Sequence, residues 1–249
     1  MKRIWLVFAL ILTIVLNACG TENESVSSPD NNDAAPRECY DGEVIVDYVD
    51  FLKINDITYE GFYREANEGP DPKIQKGDKI GEVTFMLADC APPEYISQNG
   101  DAAFLEAGTP IHEVKGYPSD LMVEADGKLY IVDRNEAAET VADLYPAEGK
   151  IKDLYLRSTE DGSKLGSFTK KNTKAFLKDF FKQELIDTEA LYRNGGTKGE
   201  MDFIEMELDN GAYIRLIYWK DSNAFSVARG NDRIAAIIEE EKARAAGKE

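Results

Sequence analysis

From residue 44 onward the chain alternates apolar and polar positions, the period-two signature of strands with one buried face. Val44, Val46, Tyr48 and Phe51 begin the pattern, and residues 51–54 and 57–59 continue it on either side of Asn55-Asp56. Residues 64–79 are rich in Gly, Pro, Asp and Lys and predict a loop. A strand is predicted over 80–87; the prolines of Asp89-Cys90-Ala91-Pro92-Pro93 end it, because they cannot donate to a ladder. Further strands are expected at 102–106, 111–115 and 121–125. The last of these pairs with 128–132 through Asp126-Gly127, a dipeptide suited to a two-residue hairpin.

Near residue 149 the rhythm changes. Residues 151–157 predict a strand, followed by a polar turn at Glu160-Asp161-Gly162. Phe176, Leu177, Phe180, Phe181 and Leu185 then recur at helical spacing, with Lys174, Lys178, Asp179 and Lys182 elsewhere on the same helix. Two alternating runs follow, Ile204, Met206 and Leu208, then Ile214, Leu216 and Tyr218, joined through Asp209-Asn210-Gly211. A short strand over 225–228 is expected next. Residues 232–246 form the final helix, with Ile234, Ile237 and Ile238 on its apolar face and a Glu240–Arg244 pair one turn apart. The fold class this predicts is α+β: an antiparallel β-rich domain over 39–148, then a small α+β domain over 149–249 whose helix covers one sheet face.

Composition narrows the partners. The 249 residues carry 47 acidic and 29 basic side chains, a formal charge of −18. That excess argues against nucleic acid, whose affinity comes largely from Lys and Arg neutralising phosphates. It also argues against a domain lying flat on an anionic leaflet. A solvated acidic surface is the simplest reading.

The first residues carry an address. Lys2-Arg3 precede an apolar run over 4–12 that resumes at 14–16, and the chain then reads Leu16-Asn17-Ala18-Cys19-Gly20. A basic start, a short apolar stretch and a small residue before cysteine resemble the signal and lipobox of bacterial lipoproteins. Asn17 stands where a small or hydroxyl residue is usual. The resemblance, in the manner of Gram-positive surface lipoproteins, implies removal of residues 1–18 and a diacylglyceryl group on Cys19. That group would hold the protein on the outer face of the cell membrane without a spanning helix, which needs about 20 apolar residues. Loss of Lys2 and Arg3 takes the charge to −20. Residues 19–38, with one β-branched apolar residue, Val26, and no aromatic, predict a flexible tether spanning roughly 25 Å. With Cys19 lipidated, Cys39 and Cys90 remain, and a disulfide between them is expected.

Candidate chemistry is sparse. His112 is the single histidine, which rules out multi-histidine zinc sites; alternation makes it outward-facing or peripheral on its strand. Ser167-Phe168-Thr169-Lys170 has the S-x-x-K letters of penicillin-recognising enzymes, but Thr197-Lys198-Gly199 and Asp221-Ser222-Asn223 follow in the wrong order, and a helix cap near Thr169 is more economical. Asp41, Glu43, Asp47 and Asp50 recur as acids along one edge, yet no EF-hand loop appears. Asn194-Gly195-Gly196-Thr197-Lys198-Gly199 lacks Walker spacing and precedes a strand. The best binding candidates are Tyr213, Arg215 and Trp219 on an exposed sheet face, with Tyr218 turned the other way under the helix. The expected function is a non-catalytic module that binds a protein or envelope component, with no cofactor or metal. The alternatives are a carboxylate-dependent hydrolase and a solute-binding protein, the latter expected to show repeated βα units.

Overall fold

The computed structural model describes residues 39–40, 48–64, 69–88, 91–92 and 94–247. The expected signal over 1–18, Cys19, the expected tether over 19–38, Cys90 and the acids Asp41, Glu43 and Asp47 lie outside these. Cys39 is in a disulfide; its expected pairing with Cys90 lies outside the described residues.

Eight strands form the first sheet: β1 (Phe51–Ile54), β2 (Ile57–Gly61), β3 (Lys76–Glu82), β4 (Phe85–Met86), β5 (Asp101–Ala102), β6 (Pro110–Val114), β7 (Met122–Ala125) and β8 (Lys128–Asn135). Their order is β3-β6-β7-β8-β2-β1-β5-β4, antiparallel except for the β4–β5 pair. Two hairpins follow from their turn residues. Ile54 faces Ile57, with Asn55 and Asp56 at φ 53° and 61°. Ala125 faces Lys128, with Asp126 and Gly127 at φ 51° and 77°. Paired left-handed residues of this kind match the natural twist of a hairpin.

The expected strand over 80–87 is two strands on opposite edges of the sheet. β3 begins at Lys76, inside the expected loop, and carries little apolar signal because it is an edge strand of Lys, Gly, Asp and Glu. At Val83 and Thr84 the chain changes partner: Val83 N–H donates to the Thr109 carbonyl and Thr84 N–H to that of Gly100. Glu82 and Phe85 are three residues apart and can be separated by no more than about 11 Å. The sheet therefore curls until its two edges nearly meet. The expected strand over 102–106 shrinks to Asp101–Ala102, since the chain turns away to cross toward β6.

Helix α1 (Val141–Leu144) leads into the second sheet, built from β9 (Ile151–Arg157), β10 (Lys164–Ser167), β11 (Met201–Leu208), β12 (Tyr213–Trp219) and β13 (Ala224–Phe225). Its order is β10-β9-β11-β12-β13, antiparallel throughout. Helices α2 (Lys170–Phe180), α3 (Thr188–Arg193) and α4 (Asp232–Ala246) complete the fold. The sheets thus divide between the N-terminal and C-terminal parts, while most of their buried apolar side chains join in one cluster and Phe85, Leu87 and Ala91 form a second, smaller one. No helix among the described residues is long and apolar enough to cross a membrane.

Helix α2 is shorter than the apolar spacing predicts. It stops at Phe180, and Leu185 bridges Ala228 instead. Phe176 and Phe180 are fully buried and meet Phe225 at centroid distances of 5.9 and 4.8 Å. Tyr218, paired with Phe225 in register, meets that ring at 4.9 Å with a 42° tilt, so it lies on the helix-covered face as expected. Thr169 caps α2, its hydroxyl accepting from Asn172 N–H. Arg244 pairs with Glu241 rather than Glu240, because Glu241 lies on the buried face of α4 and Glu240 points to solvent. The Glu241 carboxylate accepts from Thr169 N–H at 2.8 Å, the Thr169 hydroxyl at 3.0 Å and Asn172 Nδ2 at 2.8 Å, tying α4 to the start of α2.

Candidate functional site

One face of the second sheet is apolar and packed; the other is built of charges and rings. Tyr155 and Arg157 of β9, Glu205 and Glu207 of β11, and Tyr213 and Arg215 of β12 share that second face by register. Glu205 is fully buried at its centre. Arg157 Nε donates to one carboxylate oxygen at 2.9 Å, and Arg215 Nε to the other at 2.8 Å. A second Arg157 nitrogen donates to the Gly162 carbonyl at 2.6 Å. A buried carboxylate is tolerated only with such full satisfaction.

Aromatic rings fill the gaps between guanidiniums. The Tyr213 ring has Arg64 and Arg215 each at 5.2 Å and Arg157 at 6.0 Å from its centroid. Lys164 Nζ sits 3.8 Å over the Tyr155 ring. These are cation–π distances. Burial, and then the Glu205 carboxylate beside it, push the Tyr155 hydroxyl up from its ordinary range.

Beside this network lies a cleft of about 760 Å³. Its walls come from the loop carrying Arg64, Asp71 and Lys73, from Lys152, Tyr155 and Arg157 on β9, from the turn at Asp161 to Lys164, and from Glu207, Asp209 and Asn210 at the β11–β12 turn. Lys152 Nζ is 2.5 Å from Glu207 and Lys164 Nζ 3.1 Å from Asp153. Hydrogen bonds from Ser163 N–H, then from the Ser158 and Ser163 hydroxyls, hold the Asp161 carboxyl below the usual range. The turn between β11 and β12 is shaped by Gly211, at φ 92°, whose N–H donates to the Leu208 carbonyl. Arg64 reaches across and donates to the Gly211 carbonyl.

The three binding candidates share a face but not a pocket. Tyr213 is buried and donates to the Tyr63 carbonyl at 3.0 Å, so it forms structure behind the cleft rather than its surface. Arg215 lines a neighbouring depression with Tyr192 and Arg193. Trp219 ends the same strand, roughly 20 Å from Tyr213 at strand rise. Arg157, Lys164 and Glu207, which do line the cleft, carry no sequence signal that separates them from other charged residues.

His112 differs from expectation in its cover. Its side chain is 15 % exposed, and Nδ1 lies 3.4 Å from Glu124, whose side chain is 1 % exposed. Lys76 from the edge strand closes over that carboxylate at 3.0 Å. Ser167 donates to Asp153 at 2.6 Å while Lys170 opens α2, so the S-x-x-K letters mark a strand end and a helix start. Asp50 accepts from the Tyr130 hydroxyl at 3.1 Å. Among the described residues no cluster of three or more His, Cys, Asp or Glu is placed to hold a metal ion. Comparison with protein-family models, curated proteins and solved structures finds no match.

Proposed function

We propose that this protein is a lipid-anchored, extracytoplasmic binding module. In this reading Cys19 carries the diacylglyceryl group, residues 19–38 lift the domain from the membrane, and the cleft beside β9 holds a polar envelope component or peptide bearing both charges. The observation that carries the binding reading is the preassembled charge of that cleft. Lysines, arginines and carboxylates from separate segments are already held by mutual contacts and by aromatic rings. Groups ordered in advance lose little freedom when a ligand arrives.

A second reading, the carboxylate-dependent hydrolase, is favoured by Asp71, Asp161, Glu207 and Asp209 lining the same cleft. A general acid needs a carboxyl raised toward neutrality. Burial raises Glu60 and Asp202, neither of which lines the cleft, whereas Asp161 is lowered. The balance supports binding over hydrolysis.

Labelling cells with a fatty-acid probe tests the anchor: the wild type should label and a Cys19→Ala variant should not, and identical behaviour of the two would overturn it. Pull-down from whole envelope tests the cleft, with the wild type retaining a component that a Lys73→Glu/Lys164→Glu variant loses. Turnover in a hydrolase panel, abolished by Glu207→Gln or Asp209→Asn, would replace the binding reading with the second one.

A further inference from the structure

A second concavity runs along α2 and shares only Lys152 with the lining of the cleft. It encloses about 1,120 Å³ between α2, the chain after α1 and the start of β9. Its floor is apolar: Ile151, Phe168, Leu177 and Phe181. Phe168 is buried in the core, and the other three are half-buried, packed against that core on one side and meeting solvent on the other.

One lip of this trough is a row of exposed lysines, Lys170, Lys174, Lys178 and Lys182. They are four residues apart, so those on the helix rise about 6 Å from one to the next. Residues 170–182 hold five lysines and one acid, Asp179, which Arg233 engages at 3.3 Å. None of the four lip lysines is paired with a carboxylate among the described residues. In a chain of formal charge −18 this local positive row stands against the overall balance.

An apolar floor and a cationic lip specify an occupant with a greasy body and an anionic head. We infer that the trough binds a single-chain anionic amphiphile, its acyl chain on the Ile151–Phe168–Leu177–Phe181 floor and its carboxylate or phosphate head on the lysine row. Lysine serves such heads as a point charge. The volume is near that of small-ligand sites, which are mostly apolar with a few placed polar groups. A continuous bilayer surface fits less well, because Glu148 and Asp153 also line the trough and the net negative charge repels an anionic leaflet. This inference is independent of the anchor and of the cleft.

The test uses the full chain carrying Cys19→Ser, so that no attached lipid competes, and lysophosphatidylglycerol and lysophosphatidylcholine of equal chain length below micelle formation. Saturable binding is expected, with the anionic lipid at least fivefold tighter. Lengthening the chain by two methylenes should tighten binding, by up to about fifteenfold if both are fully buried. A Lys174→Gln/Lys178→Gln/Lys182→Gln variant, altered only at exposed positions, should lose the preference for the anionic head while keeping chain-length dependence. Leu177→Asp, checked for folding by circular dichroism, should lose both lipids. Equal affinity for the two heads, or binding unchanged by these variants, would overturn the proposal. So would binding to phosphatidylglycerol vesicles without binding of the monomeric lipid, which would assign the lysines to a bilayer surface instead.

Discussion

Glu241 joins two helices through a carboxylate whose side chain is only 1 % exposed. Burial works against its charge, but donation from Thr169 N–H, Arg244, Asn172 and the Thr169 hydroxyl outweighs burial and holds the carboxyl below its usual range. Replacing it with glutamine puts an NH₂ among donors, and should cost about 2–4 kcal/mol in chemical denaturation. Its folded pKa is depressed, so its contribution is full above the ordinary carboxylate value near 4.3 and drains as pH falls through the folded value. The gap between wild type and Glu241→Gln should therefore close on acidification, and a gap that stays constant to low pH would refute the assignment. Neither Glu241 nor Glu205 stands out in the sequence. Among 47 acids, what selects these two is the set of donors that folding brings from distant segments.

At the scale of elements, legibility followed the strength of the local pattern. The hairpins through Asp126-Gly127 and Asp209-Asn210-Gly211 and helix α4 stand where alternation, turn residues and helical spacing place them, and the alternation around Asn55-Asp56 resolves into a further hairpin. Elements held mainly by tertiary partners were invisible: β10 pairs with β9 through Lys164, Gly166 and Ser167, and α1 and α3 have four and six residues. Their short runs carry too few apolar positions to set a period. The turn chemistry makes its own prediction. Gly127 has φ 77° with open space where a Cβ would sit, so Gly127→Ala pays only for the left-handed backbone. It should lower the melting temperature by an amount equivalent to about 1 kcal/mol, with little change in circular dichroism.

Among the described residues two sheets share the main core, and the sequence shows the change of rhythm between them but not their shared interior. Contacts such as Tyr213 with Tyr63, or Asn210 with Tyr117, join residues far apart in sequence and leave no periodic trace. A covalent link at the start of the described fold acts at this scale. If Cys39 pairs with Cys90, closing a loop of about 50 residues constrains the unfolded chain by roughly 4 kcal/mol. Reducing agent, or Cys90→Ser, should then lower the melting temperature, and each should abolish the effect of the other. Mass mapping that joins Cys39 to another cysteine would refute the pairing.

The curl that brings β3 and β4 to within a short link of each other has a bearing on life at high density. Open ladders of unpaired amides recruit further strands and seed fibres. Here one rim is a charged run from Lys76 to Glu82 with two slips of register, and the other is a two-residue strand. Neighbouring copies crowded into a plane would find no long, regular rim on which to extend this sheet. The first sheet thus offers no long, regular edge for a further strand.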